Sequence, residues 1–455
     1  MEEKRDFRPK LHFTAPKNWL NDPNGLIRTG DTYHLFYQHN VKEPRWGPMH
    51  WGHAVSRDLY HWEHRDVALY PDKLGMIFSG SAVLDEENVS GLGCGGRTPL
   101  LAFFTYDDGK TEFQSMAFSL DEGQTFHKTG TPLIENPGIH DFRDPKVIRV
   151  GDRWVMALAV WNQCWFYASK NLLDWEKTGE FGPLPEEIAP AGAVWECPDL
   201  YPLTGPDGET HWVLVINLQI PPEKGGVRPL YWLGQFENGT FTAQEDFCEP
   251  LDCGFDCYAA TTYFNAPQRT MIAWGDNMVY AGEAPTGEWR CHMTMPRVLS
   301  LKDTPKGLRL ASLPLVPEEA RGKAEELEKK SGEKSGALPG KTFVLRVTGT
   351  GEGSVTLKNG RGNAFSFGVN ADDAFFIDRR NTCAPFCESY SEHLMEHTAP
   401  RFFEGSWQLD AVLDGCAFEM FGDGGTRAFS VSLFPENPFD AFETAGNLSV
   451  QILPL

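Results

Sequence analysis

Basic residues are scarce in this 455-residue chain: 41 Lys and Arg stand against 63 Asp and Glu, a formal charge of -22. Phosphate backbones and anionic membrane surfaces are bound by clustered cations, so nucleic acid and membrane are excluded as partners and a neutral ligand fits better. Long apolar runs are missing too. No window approaches the ~18 uninterrupted apolar residues of a membrane span, and Met1-Glu-Glu-Lys-Arg-Asp6 has no apolar core of a secretory leader. The expectation is a cytoplasmic protein. The ten cysteines are dispersed rather than spaced as a disulfide framework, and reduced thiols are expected. Cys253-x3-Cys257 and Cys383-x3-Cys387 lack the Cys-x2-Cys spacing of a zinc site. His50 and His53, like His61 and His64, are three residues apart, which on a strand turns side chains to opposite faces. No metal or cofactor is expected.

Aromatic residues are abundant, with 14 Trp and 31 Phe, and favour sheets and sugar-stacking surfaces over a helical bundle. Up to about residue 312 the strand signal dominates and no long amphipathic helix interrupts it. Thr32–Tyr37, Leu100–Thr105, Arg153–Ala159 and His211–Ile216 are short, β-branched or aromatic, and bounded by Gly, Asp, Asn or Pro. A weak repeat runs through them. Ala54-Val-Ser56-Arg-Asp58 before Trp62 is echoed by Ala117-Phe-Ser119-Leu-Asp121 before Phe126, and by Ala168-Ser169 with Asp174-Trp175; Gly234-Gln-Phe236 to Phe241 is a fainter copy. The serines are 63 and 50 residues apart, a spacing suited to four-stranded units arranged radially. The fold expected is an all-β propeller, and roughly 300 residues accommodate about five blades.

Composition changes after Leu315. Pro317 to Gly340 is charged and almost free of large apolar residues, which reads as a linker. Alternating strand patterns resume at Thr342–Val347 and recur to Leu455, with hairpin signals at Asn359-Gly360, Asp414-Gly415 and Asp423-Gly424. A small β-sandwich is expected there. The domains are accordingly a propeller over 1–315, a charged linker over 316–340 and a β-sandwich over 341–455.

Three short blocks carry the chemistry. Asn18-Trp-Leu-Asn-Asp22-Pro-Asn-Gly25 holds one carboxylate between side-chain amides and directly before a proline. Phe142-Arg-Asp144-Pro145 and Trp195-Glu196-Cys-Pro-Asp199 repeat the pattern of an acid at or one residue short of a proline. Any one block alone reads as a turn. On a propeller, innermost strands line a central channel, so Asp22, Asp144 and Glu196 would converge from separate blades on one funnel-shaped pocket closed at depth.

Together, in this order and with their aromatic neighbours, these blocks resemble the β-fructosidases of glycoside hydrolase family 32: invertases, inulinases and levanases. The resemblance extends to His50-Trp-Gly-His-Ala-Val-Ser56, Phe78-Ser-Gly-Ser-Ala-Val83, Asp256-Cys-Tyr-Ala-Ala260 and Ile377-Asp-Arg379, and covers the chain from about Pro9. It implies a five-bladed propeller with a C-terminal sandwich, and a retaining exo-acting hydrolysis of terminal β-fructofuranosyl residues in fructo-oligosaccharides, inulin, levan or sucrose. Asp22 is then the nucleophile, Glu196 the acid/base and Asp144 the carboxylate that binds ring hydroxyls and stabilises the oxocarbenium-like state, with the two reacting carboxyls about 5 to 5.5 Å apart. The amide donors around Asp22 are expected to favour its ionised form, and an apolar setting between Trp195 and Cys197 to favour protonated Glu196. Asn21, Gln38, Trp46, Phe78, Ser79, Arg143, Tyr258 and Trp274 carry over as contacts to the terminal fructosyl unit.

Many relatives have an aromatic where this chain has Cys257, which would alter the pocket wall; Cys197 is expected to pack or tune. Asn88-Val-Ser-Gly91 resembles the inulinase and levanase branch more than the sucrose-6-phosphate hydrolases. A fructosyltransferase would use the same covalent intermediate with a sugar acceptor. A non-catalytic carbohydrate-binding propeller would be expected to lack one of the three acids, and all three are present. Linkage preference, chain-length preference and oligomeric state are not encoded in any motif found.

Overall fold

The computed structural model of the chain describes residues 6–245, 248–315, 335–392 and 395–454. Most of the expected linker, 316–334, lies outside the described residues. Five antiparallel sheets of four or five strands come first, and their innermost strands are Asn18–Thr29, Met76–Leu84, Phe142–Val150, Val194–Thr204 and Tyr258–Thr262. Each of these neighbours the next around a central axis, and the fifth returns to the first. This is the five-bladed propeller. The ring is closed by main-chain bonds, from Arg28 N to Phe264 O (2.9 Å) and from Phe264 N to Leu26 O (2.9 Å), and by the parallel pairing of Asn18–Trp19 with Trp289–Arg290.

The repeated serine has a shared structural job. At the end of the third strand of a blade, Ser56 Oγ accepts from Leu59 N (2.9 Å), Ser119 Oγ from Gly123 N (2.8 Å) and Ser169 Oγ from Leu172 N (2.8 Å). Each hydroxyl satisfies a turn amide that no ladder reaches. In two blades the aromatic that follows completes the turn, with Trp62 Nε1 donating to Leu59 O (3.0 Å) and Trp175 Nε1 to Leu172 O (3.2 Å). Apolar layers fill the spaces between blades, as where Phe166, Trp195, Leu214 and Ile216 pack between the third and fourth. Burying each such side chain contributes about 1.5–3 kcal/mol.

The C-terminal region is a β-sandwich built on two long strands, Thr342–Lys358 and Ala441–Pro454, which pair along almost their whole length with an irregularity between Thr350 and Gly353. On one side of that break the first pairs with Ser406–Asp414, and on the other with Ala364–Val369. The long strands therefore bend from one layer into the other. Ser335–Ala337 add a short strand to Ala441–Pro454, and all three expected hairpin turns join neighbouring strands.

Propeller and sandwich meet across buried charges. Arg297 of the fifth blade bonds Asp252 (2.8 Å) and Glu419 (2.6 Å), with all three side chains buried. Arg379 bonds Asp256 (2.9 Å), both at 0% exposure. Contact is so close that a β-carbon on Gly254 would stand 2.2 Å from Ser430 O, so only glycine fits there.

Candidate active site

All five innermost strands break register at the same end. Two residues stand against one partner position at Asn21-Asp22, Phe78-Ser79, Asp144-Pro145, Cys197-Pro198 and Ala259-Ala260. Such β-bulges re-aim side chains that a regular pleat would point into the sheet. The acidic blocks are therefore bulged strand segments, where isolated turn chemistry suggests turns. Pro145 and Pro198 occupy bulge positions because no ladder bond is needed there. Asp144 (φ +65°), Cys197 (φ +44°) and Ala259 (φ +51°) adopt the left-handed region, a backbone strain on the order of 1–3 kcal/mol each that surrounding structure must hold.

The bulges bring the three acids together. Asp22 Oδ2 accepts from Ser79 Oγ (2.6 Å), and Asp22 Oδ1 from Asn21 Nδ2 (3.0 Å). Asn21 is itself fixed by Trp19 Nε1 (2.8 Å). Asp144 Oδ2 accepts from Cys197 N (2.9 Å), and the Cys197 thiol lies 3.5 Å from both Asp144 Oδ2 and Asp22 Oδ2. Glu196 Oε1 accepts from Arg143 Nε (3.2 Å) and Nη2 (3.0 Å), and the Tyr258 hydroxyl donates to Oε2. Glu112 Oε1 (2.8 Å) and Asp141 Oδ1 (2.5 Å) anchor the far side of Arg143.

Two local expectations are corrected by this geometry. Burial, with the Glu196 charge adding to it, raises the Asp22 carboxyl above its ordinary range despite its Ser79, Asn21 and Cys197 donors. Glu196 does not sit in an apolar setting. Its chain neighbours do not supply one: Trp195 alternates away along the strand and packs between blades against Phe181, and the bulged Cys197 turns to Asp22 and Asp144. Burial also pushes Asp144 up to about 8, with Glu196 and Asp22 reinforcing and Arg143 opposing. Burial raises Tyr258 as well, with Glu196 beside it.

One cavity of about 400 Å³ is lined by Asp22, Asp144 and Glu196 and by all eight expected contacts: Asn21, Gln38, Trp46, Phe78, Ser79, Arg143, Tyr258 and Trp274. Trp46 is the rim residue, 55% exposed and edge-on to Phe78. A second, small space of about 20 Å³ adjoins this cavity, sharing Ser79 and Asp144 with it and bounded also by Pro23, Lys146, Pro198 and Thr261. Trp19, Gln219 and Met278 also line the cavity and were missed. Trp19 lies inside the first acidic block and was the recoverable one; Gln219, at the end of Thr210–Gln219, and Met278 carry no local signal. Cys257 does not form the pocket wall. It is 1% exposed and packs with Val213, Leu251 and Met271 between the fourth and fifth blades. Asp199 is turned away as well, ion-paired to Lys146 at 3.2 Å.

The family description "Glycosyl hydrolases family 32 N-terminal domain" matches residues 12–314. A levanase of Bacillus subtilis (strain 168) is 35% identical over 480 aligned positions, covering 99% of this chain and 70% of that protein. An extracellular exo-inulinase of Aspergillus niger is 32% identical, covering 95% of this chain and 90% of that one. The crystal structure of an exo-inulinase from Aspergillus awamori superposes with a TM-score of 0.89 at 29% identity, covering 100% of this chain and 99% of that one.

Proposed function

Because the chain belongs to glycosyl hydrolase family 32, we propose that its pocket carries out the retaining double displacement of a β-fructosidase, with Asp22, Glu196 and Asp144 in three distinct roles. The enzyme is a glycoside hydrolase that acts on the terminal fructosyl units of fructans and sucrose. One observation carries the assignment of roles: three carboxylates from three blades share a single pocket with amides, a hydroxyl and aromatic faces, the set a terminal sugar requires.

An Asp22 oxygen attacks the anomeric carbon as the bond to the leaving oxygen breaks, and Glu196 gives that oxygen its proton. Ser79 and Asn21 hold the attacking carboxylate by donating to it. Arg143 and Tyr258 grip opposite oxygens of Glu196, which fixes the proton donor in rotation. Asp144, raised to about 8 when the pocket is empty, carries a proton at neutral pH and, with Glu196 protonated as the acid, can hydrogen-bond ring hydroxyls without adding a second negative charge beside ionised Asp22. Water then enters, Glu196 takes its proton, and the Asp22 ester is released with the original anomeric configuration.

A neutral substrate is favoured over sucrose-6-phosphate. Arg143 is the single cationic side chain lining the pocket among the described residues, and Glu112, Asp141 and Glu196 already engage it. The test is a panel of sucrose, sucrose-6-phosphate, kestose, inulin and levan with product chromatography. Free fructose as the first product from the neutral substrates supports the reading. Phosphorylated sucrose as the sole substrate, or transfer products in place of fructose, would refute it.

We further propose a cytoplasmic location, supported by cysteines dispersed through a large domain, of which Cys164, Cys197, Cys253, Cys257, Cys291 and Cys416 are buried as thiols. Titration of the freshly isolated, denatured and unreduced protein should find ten thiols; two or more stable disulfides would argue for an oxidising compartment.

A further inference from the structure

Val160 pairs with Gln163 in the third blade, so Trp161-Asn162 is a two-residue hairpin loop. The first position of such loops demands a positive φ and is the usual place of Gly, Asn or Asp. Trp161 occupies it at φ +53° while remaining 56% exposed. The other bulky apolar residues at positive φ, Leu59 and Leu172, are buried and held by packing. Trp161 has no such reason, and its indole makes no hydrogen bond or ring contact among the described residues.

The loop belongs to the site end of the blade, since Val160 pairs with Phe142 and Ala159 with Arg143. Its backbone is clamped to the two strands that carry the chemistry. Trp161 N donates to Asp141 O (2.7 Å), beside Arg143, and Trp161 O accepts from Trp195 N (2.9 Å), the residue before Glu196. A solvent-facing indole on a clamped backbone thus stands next to the strand of the proton donor. Glu196 marks the side on which the leaving group departs. The rest of a chain substrate must pass there, outside a pocket of about 400 Å³.

We propose that Trp161 is a stacking platform for fructosyl units beyond the scissile bond, and so distinguishes fructan chains from sucrose, which is too short to reach it. An indole face offers a flat apolar surface to the C–H face of a sugar at little entropic cost. The proposal rests on the β-fructosidase reading of the pocket.

The experiment compares the wild type with Trp161→Gly and Trp161→Phe on sucrose and on a long inulin oligosaccharide. Glycine suits the positive φ, so Trp161→Gly should unfold at the wild-type temperature or above it, which removes misfolding as an explanation. The expected result is a fall in kcat/KM of about fivefold or more on the oligosaccharide, carried by KM, a change on sucrose within about twofold, and retention of most chain activity in Trp161→Phe. Equal losses on both substrates, or no loss on the long one, would overturn the proposal. A wild type that cleaves sucrose and no fructan would also overturn it while leaving the reading of the pocket intact. A wild type inactive on every β-fructofuranoside would overturn both.

Discussion

Replacing Arg379 by Met removes one half of a charge pair that joins the sandwich to the propeller. Arg379 and Asp256 are both at 0% exposure, and Asp256 also accepts from Ser432 N (2.7 Å), so the carboxylate left behind has nowhere to find water. Losing one member of a buried pair costs about 3–5 kcal/mol, which in a chain of 455 residues corresponds to a fall in Tm of about 3–5 °C. The sign of the pH dependence follows from Asp256. Burial already raises its carboxyl in the folded protein, with Arg379 opposing, and the variant loses that opposition. A carboxyl raised on folding contributes stability that is present at low pH and is lost as pH rises through its folded value. The destabilisation should therefore be largest above neutrality and shrink toward pH 5, and adding Asp256→Asn should restore part of it because no buried charge remains. The assay is thermal unfolding of wild type, both single variants and the double variant between pH 5 and 8. A loss below about 1 kcal/mol in Arg379→Met, or a double variant that is no better than the single, would refute the reasoning.

Tyr258→Phe removes the hydroxyl that grips Glu196 Oε2, and kcat/KM on sucrose should fall by about tenfold or more with little change in Tm, which steady-state kinetics beside a melting curve will check. Asp144 is raised to about 8 in the folded state, so it makes the empty enzyme less stable as pH climbs from the ordinary carboxylate range to 8. Asp144→Asn should be inactive yet melt higher than wild type at pH 8, by about 3 °C or more, and show no such gain at pH 4. Glu196→Gln should slow formation of the fructosyl-enzyme strongly for sucrose and weakly for an aryl fructoside, whose phenolate leaves without a proton; equal falls in the pre-steady-state burst would remove Glu196 from the donor role.

Much of the fold could be read because its repeat is local. The serine that accepts a turn amide recurs at Ser56, Ser119 and Ser169, and such a device survives in sequence even when the strands around it diverge. The acids could be read for the same reason: a bulge that aims a carboxylate into a channel confines the change of direction to a few residues, and Pro145 and Pro198 mark it. What the sequence did not disclose is contributed across blades. Glu196 is surrounded by Arg143 from the third blade and Tyr258 from the fifth, whereas Trp195 packs between blades and Cys197 turns to the other two acids, so a setting inferred from adjacent residues was bound to mislead. Cys257 failed likewise, since it alternates with Tyr258 and points into the core. The charge pairs of Asp252 and Asp256 with Arg297 and Arg379 span up to 123 residues of sequence, and no local pattern announces them.

The central claim is that Asp22 forms a covalent bond to the sugar. In Glu196→Gln an activated aryl fructoside should load the enzyme and hydrolysis should stall, because no base remains to activate water. Rapid acid quench, digestion and mass spectrometry should then find one fructosyl increment on the peptide that carries Asp22, and Asp22→Asn in the same background should abolish it. A label on the peptide carrying Asp144 or Asp199, or no label together with release of fructose of inverted configuration, would contradict the account.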